Sequence, residues 1–147
     1  MKITSPKFLN NEMIPSKYTC NGENISPPLR ISDTPIGTKS IALITDDPDA
    51  PGGDWVHWVV WNIDPNTFDI VEDCVMEGAV EGKNTRSDNK YGGPCPPKGT
   101  HRYFFKIYAL DILIDLDKSN GKKELERAMK GHVLDKAQLV GLYTQNL

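Results

Sequence analysis

The chain has 147 residues, with 17 basic and 20 acidic side chains and a formal charge of −3, a length that holds one domain (residues 1–147) and one main core. Gly and Pro fill 12 and 11 positions, too many for a helical bundle, and mild acidity without a Lys/Arg block argues against a nucleic-acid groove. No basic start with an apolar run opens the chain and no apolar stretch reaches membrane-spanning length, so no integral membrane segment is expected and a cytoplasmic location is.

In chain order, residues 29–32, 40–45, 57–63, 68–71 and 102–110 read as strands, each bounded by Gly, Pro, Asn or Asp clusters. Together they predict a mainly β, mainly antiparallel fold. A helix begins near Asn120 or Gly121 and carries Leu125, Ala128, Met129, Val133 and Ala137 at spacings of three to four. Gly131 interrupts it, predicting a break or a second short helix, and residues 138–144 read as a closing strand. Cys20, Cys74 and Cys95 are odd in number and widely spaced, which suits free thiols in a reducing compartment better than a disulfide framework or a zinc site.

Period-two alternation assigns faces. Trp55, His57, Val59 and Trp61 should share one face of their strand, and His101, Tyr103, Phe105 and Ile107 one face of theirs. Both faces of the first strand look buried, so its histidine must find a partner or line a cavity. Trp58 and Trp61 suit the core or a subunit contact. His132, among core-like neighbours, suits packing or capping rather than ligation.

Two stretches stand out as chemistry. Asp46, Asp47, Asp49 and Asp54 fall at the exit of an apolar strand, where Pro48 and Pro51 stiffen the loop. Pro51 and the missing terminal glutamate exclude an EF-hand. The second stretch, Lys90-Tyr91-Gly92-Gly93-Pro94-Cys95-Pro96-Pro97-Lys98-Gly99-Thr100, pairs glycines that admit close backbone approach with prolines that hold it. It lacks the Lys-Ser/Thr ending of a P-loop and runs straight into His101. Arg86 and Asp88 precede it and could pin it by an ion pair.

These residues carry a resemblance to the phosphatidylethanolamine-binding protein family, also called the Raf kinase inhibitor protein family, in its short bacterial and archaeal branch. The matching blocks are Asn21-Gly22-Glu23-Asn24-Ile25-Ser26-Pro27-Pro28-Leu29, Asp47-Pro48-Asp49-Ala50-Pro51, Trp55-Val56-His57-Trp58, Tyr91-Gly92-Gly93-Pro94-Cys95-Pro96-Pro97 and His101-Arg102-Tyr103. Gly131-His132-Val133-Leu134 and Leu139-Val140-Gly141-Leu142-Tyr143 match near the C-terminus. The resemblance implies a Greek-key antiparallel β-sandwich with one or two short helices near the C-terminus. It also implies a small cavity for anions such as phosphate or a phospholipid head group. Carried over by position, the ligand-binding residues are Asp47, Asp49, Trp55, His57, Gly93, Cys95, Pro97, His101 and Tyr103, with no cofactor, metal or catalytic residue. A protein kinase or serine protease is the implied class of protein target, and an exposed aromatic edge would permit a homodimer.

In this reading Asp47 orients His57 and makes it easier to protonate, while the amides of Gly92 and Gly93 supply further donors to the anion. The alternative is a small hydrolase or metal-dependent enzyme built on the same Asp/His set. No Gly-x-Ser-x-Gly elbow supplies a nucleophile, Cys95 is hemmed in by prolines, and no His-Glu-x-x-His spacing preorganises a metal. A binding or inhibitor protein is therefore expected rather than an enzyme.

Overall fold

The computed structural model describes residues 1–145. Its strands are β1 (Lys2–Thr4), β2 (Glu12–Met13), β3 (Leu29–Ser32), β4 (Ser40–Asp47), β5 (Trp55–Ile63), β6 (Asp69–Ile70), β7 (Val80–Glu81), β8 (Thr100–Leu110) and β9 (Val133–Thr144), with one helix, α1 (Lys122–Met129). They form a three-stranded sheet, β1-β3-β6, and a six-stranded sheet, β2-β9-β8-β4-β5-β7. Every strand pairing is antiparallel except β2 with β9. The mainly β fold expected from the sequence is present.

All eight residues of β4 are buried, because the strand is central to the larger sheet and both of its faces are covered. Ile41 and Leu43 pack toward the smaller sheet with Leu29, Ile31, Trp58, Tyr103 and Phe105. Ala42 and Ile44 pack on the other side with Val59, Trp61, Leu125 and Met129. The molecule is thus layered as small sheet, large sheet and helix, and α1 contributes a two-residue apolar stripe at i and i+4. Trp58 and Trp61 are both core, one on each face of the sheet.

The helix stops earlier than its apolar spacing predicts. Gly131 takes a left-handed φ of 82°, which terminates α1 at low steric cost. Val133 and Ala137 then belong to β9, where the pairing with β8 runs from Leu110–Val133 to Thr100–Thr144. His132 lies in the connecting turn, its backbone N–H donating to Met129 O at 2.9 Å and its Nδ1 bonded to Asp111 Oδ1 at 2.8 Å.

Period two fails twice within β5. Thr45 pairs with Trp58 and Asp46 with Val56, so His57 is an extra residue in a β-bulge. A second irregularity lies between the Ile41–Ile63 and Leu43–Val60 pairs, and Asn62 there adopts a φ of 58°. The expected sharing of one face by Trp55, His57, Val59 and Trp61 is therefore corrected. Val59 and Trp61 lie against the helix, while the bulge turns His57 to the opposite side with Trp58.

The cysteines also depart from expectation. Cys20 and Cys95 form a disulfide with Cα atoms 5.5 Å apart, and only Cys74 is free. Their 75-residue separation hides the contact in sequence, but a 3-10 turn at Ser16–Tyr18 brings the first loop onto the Gly-Pro loop. There Cys20 N–H donates to Pro94 O at 3.1 Å and the Tyr91 hydroxyl to Tyr18 O at 2.7 Å. No helix among the described residues is long and apolar enough to cross a membrane.

Candidate functional site

A cavity of about 540 Å³ opens where the ends of β4, β5 and β8 meet the Gly-Pro loop. Of the nine residues expected to bind ligand, Asp47, Trp55, His57, Gly93, Cys95, Pro97, His101 and Tyr103 line it. Asp49 does not. Its Oδ1 and Oδ2 receive the Arg102 guanidinium at 2.8 and 2.9 Å, and Oδ2 also accepts the Arg102 backbone N–H at 3.0 Å. That fork holds the Asp49 carboxyl down at about 2, so it clasps the acidic loop to β8 outside the cavity.

The two imidazoles are fixed by different partners. His101 Nδ1 bonds Asp47 Oδ2 at 2.7 Å, and Asp47 Oδ1 accepts the Asp49 backbone N–H at 2.8 Å. His57 Nδ1 donates instead to Gly92 O at 2.6 Å. The expectation that Asp47 orients His57 is corrected: the carboxylate orients His101, and a loop carbonyl orients His57. In both rings Nδ1 is engaged, so only Nε2 remains for a ligand. The Tyr103 ring sits 5.3 Å from His57, edge-on, and 6.5 Å from His101, stacked.

Burial pushes the His57 imidazole below its ordinary 6.5, although the Gly92 carbonyl and the charge of Asp47 oppose the shift. Ease of protonation, expected from a nearby carboxylate, is thus overruled by desolvation. Burial also raises the Tyr103 phenol, with the Asp47 charge reinforcing it. Tyr103 therefore presents a protonated hydroxyl at neutral pH.

The loop amides are not available as donors. Gly92 N–H donates to His57 O at 3.0 Å and Gly93 N–H to Asn24 Oδ1 at 2.8 Å. A Cβ at Gly93 would collide with the Asn24 side chain and the Tyr18 carbonyl, so this glycine serves loop-to-loop packing rather than close approach to a ligand. Cys95 contributes a disulfide sulfur to the wall, not a thiol.

Sequence reasoning missed Cys20, Asn24, Asn84 and Lys90 as lining residues. The Asn24 contact spans 69 residues, which no local pattern reports, whereas Lys90 opens the Gly-Pro stretch and lies just before the block that carries the resemblance. Arg86 and Asp88 also line the cavity, but no ion pair joins them among the described residues. A shallower concavity of about 460 Å³ over Ile31, Ile36 and Phe68 holds no titratable side chain. Among the described residues no three His, Cys, Asp or Glu side chains are grouped to hold a metal ion.

A family model described as phosphatidylethanolamine-binding protein matches residues 4–144. A UPF0098 protein of Methanothermobacter thermautotrophicus is 47% identical over 148 residues, covering 97% of this chain and 98% of its own. A UPF0098 protein of Pyrococcus horikoshii is 47% identical over 152 residues, covering 97% and 76%. The crystal structure of a phosphatidylethanolamine-binding protein homolog from Chlamydia trachomatis superposes with a TM-score of 0.95 at 41% identity, covering 99% and 97% of the two chains. Escherichia coli YbcL, described as a member of the mammalian family, superposes at 0.92 with 32% identity, covering 99% and 98%.

Proposed function

The chain belongs to the phosphatidylethanolamine-binding protein family, and on that premise we propose that the cavity binds a small anion, phosphate or the phosphoryl part of a head group. The observation that supports this reading most is the pair of imidazoles flanking Tyr103, each with Nδ1 committed to the protein and Nε2 left over. A neutral ring in that state offers a lone pair at Nε2, and a protonated ring offers a charged N–H donor. Anion binding by the imidazoles is therefore coupled to proton uptake, and the affinity rises as pH falls through the imidazole range. The Tyr103 hydroxyl, which makes no hydrogen bond to the protein among the described residues, donates without regard to pH over that range.

The protein acts as a binding or inhibitor protein rather than an enzyme, with the one thiol beside a histidine already consumed by the disulfide. Modulation of a protein kinase or inhibition of a serine protease belongs to the same proposal, as does a homodimer. So does a cytoplasmic location, in which case the compartment must let disulfides persist, as in hyperthermophiles.

Calorimetric titration of inorganic phosphate and O-phosphorylethanolamine at pH 5.5 tests the pocket. The expected result is tight binding to the wild type and at least about a tenfold loss in His57→Ala, the scale of one charge-assisted hydrogen bond. Equal affinity in the two proteins would remove His57 from the site. Stoichiometric inhibition of a serine protease that survives the same substitution would place that activity on the outer surface.

A further inference from the structure

With both loop amides spent and His57 held neutral by burial, the cavity needs another source of positive charge at and above neutral pH. The segment between β7 and the Gly-Pro loop supplies it. Asn84, 7% exposed, is the centre of a tight turn. Its Nδ2 donates to His57 O at 3.4 Å and to Lys90 O at 3.0 Å, and its Oδ1 accepts the Asp88 N–H at 3.0 Å. Its backbone N–H donates to Asp88 O at 3.0 Å.

Neighbouring contacts stiffen the same turn. Ser87 sits at a φ of 65°, and Lys83 Nζ bonds Ser87 O at 3.1 Å and Asn89 Oδ1 at 2.9 Å. Thr85 is laced to β5, its Oγ1 accepting the Val56 N–H at 2.7 Å and its N–H donating to Val56 O at 3.0 Å. Presenting side chains from so braced a backbone adds little ordering cost on binding.

Two cations are presented there. Arg86 and Lys90 are exposed and both line the cavity. Lys106 and Lys122 are engaged with buried Asp46, whereas Arg86 and Lys90 make no ion pair among the described residues. Asp88 also lines the cavity, so this rim carries a net single positive charge. The Arg86 charge is felt at His57, whose protonation it opposes.

We infer that Arg86 and Lys90 form a cationic lip that holds the ligand's phosphoryl oxygens, so that the site recognises a phosphate ester even when its histidines are uncharged. The inference rests on the phosphoryl-pocket reading above and assigns its specificity. The planar guanidinium suits two phosphoryl oxygens at once, and the Lys90 ammonium adds a mobile point charge. The phosphoryl group then lies between the lip and the imidazoles, sharing its oxygens between them, and whatever it carries extends toward the mouth.

The test is calorimetric titration of O-phosphorylethanolamine and inorganic phosphate at pH 8.0 and 5.5 against wild type, the double variant Arg86→Gln/Lys90→Gln, and His57→Ala. Both lip residues are exposed, so the double variant should melt as the wild type does. At pH 8.0 the double variant is expected to lose about tenfold or more in affinity while His57→Ala changes little, whereas at pH 5.5 His57→Ala is impaired as well. A double variant that binds as wild type does at pH 8.0 overturns the lip, as does wild-type binding confined to pH 5.5. Absence of wild-type binding at both pH values overturns the pocket reading itself.

Co-sedimentation with phosphatidylethanolamine/phosphatidylcholine vesicles separates the ligand's sources. Lip-dependent sedimentation names a membrane lipid, and lip-dependent binding of the soluble ester alone names a free phosphate ester. Either supports the lip, and sedimentation unaffected by the double variant counts against it.

Discussion

Asp46 and Asp47 are adjacent on β4 and almost equally buried, at 1% and 3% exposure, yet the pleat sends them to opposite faces of the sheet. On the helix face, Asp46 Oδ2 receives Lys106 at 3.0 Å and Lys122 at 2.8 Å, and Lys122 also bonds Asp54. On the cavity face, Asp47 receives one imidazole and one backbone amide. Burial would lower the Lys122 ammonium, but its bonds to Asp46 and Asp54 prevail and raise it, so Lys122 keeps its charge across physiological pH. A buried carboxylate thus becomes an anchor or a functional group according to whether ammoniums or an imidazole face it and whether a void adjoins it.

Breaking the two sides separately should give distinct signatures. The largest effect is expected on the cavity side. Removing the disulfide by Cys20→Ser/Cys95→Ser frees a loop of 75 residues and should cost about 4 kcal/mol by chain-entropy reasoning, read as a lower guanidinium midpoint. Phosphate binding should weaken with it, because the bridge joins the two loops that wall the pocket.

Next is Asp46→Asn, which strands two part-buried ammoniums and should cost about 3 kcal/mol while leaving phosphate affinity within about twofold. A matching loss of affinity would merge the two sides and sink the distinction. The smallest effect is a pH slope. Because burial lowers the folded-state His57 imidazole below 6.5, the unfolded chain binds more protons between those values. Stability should therefore fall as pH drops below about 6.5, by less than Asp46→Asn costs. Melting curves from pH 8 to 5.5 should show this in wild type and not in His57→Gln. Saturating phosphate should offset it, since ligand affinity rises over the same interval.

The strands with long buried runs, β4, β5 and β8, were legible because their hydrophobicity outlasts any ambiguity of register. β1, β2 and β7 were not, since two or three residues hold too little pattern to show a period. Val133 and Ala137 fit a helical spacing by coincidence, and Gly131 was the better signal. In the site, residue types were legible and partners were not. The acidic loop reads as one cluster, but Asp46 and Asp54 serve Lys122, Asp47 serves His101 and Asp49 serves Arg102. The bulge at His57 is invisible to strict alternation because an extra residue changes the face without changing composition. The glycine amides were assigned to a ligand, when contacts to Asn24 and His57 distant in sequence had already taken them.

The Cys20–Cys95 bridge also divides the chain mechanically. With 75 residues between its ends, it closes β3 to β7 into a covalent ring and leaves β1 and β2 on one side, and β8, α1 and β9 on the other, as linear tails. Pulled from its two termini, the oxidised molecule can peel β9 from β8 and release the helix, yet it cannot extend across the ring. Roughly 260 Å of contour length, about 3.5 Å for each enclosed residue, stays hidden until the sulfurs part. Under load, the polypeptide behaves as a tether of about half its length, interrupted by a closed ring of sheet and pocket wall.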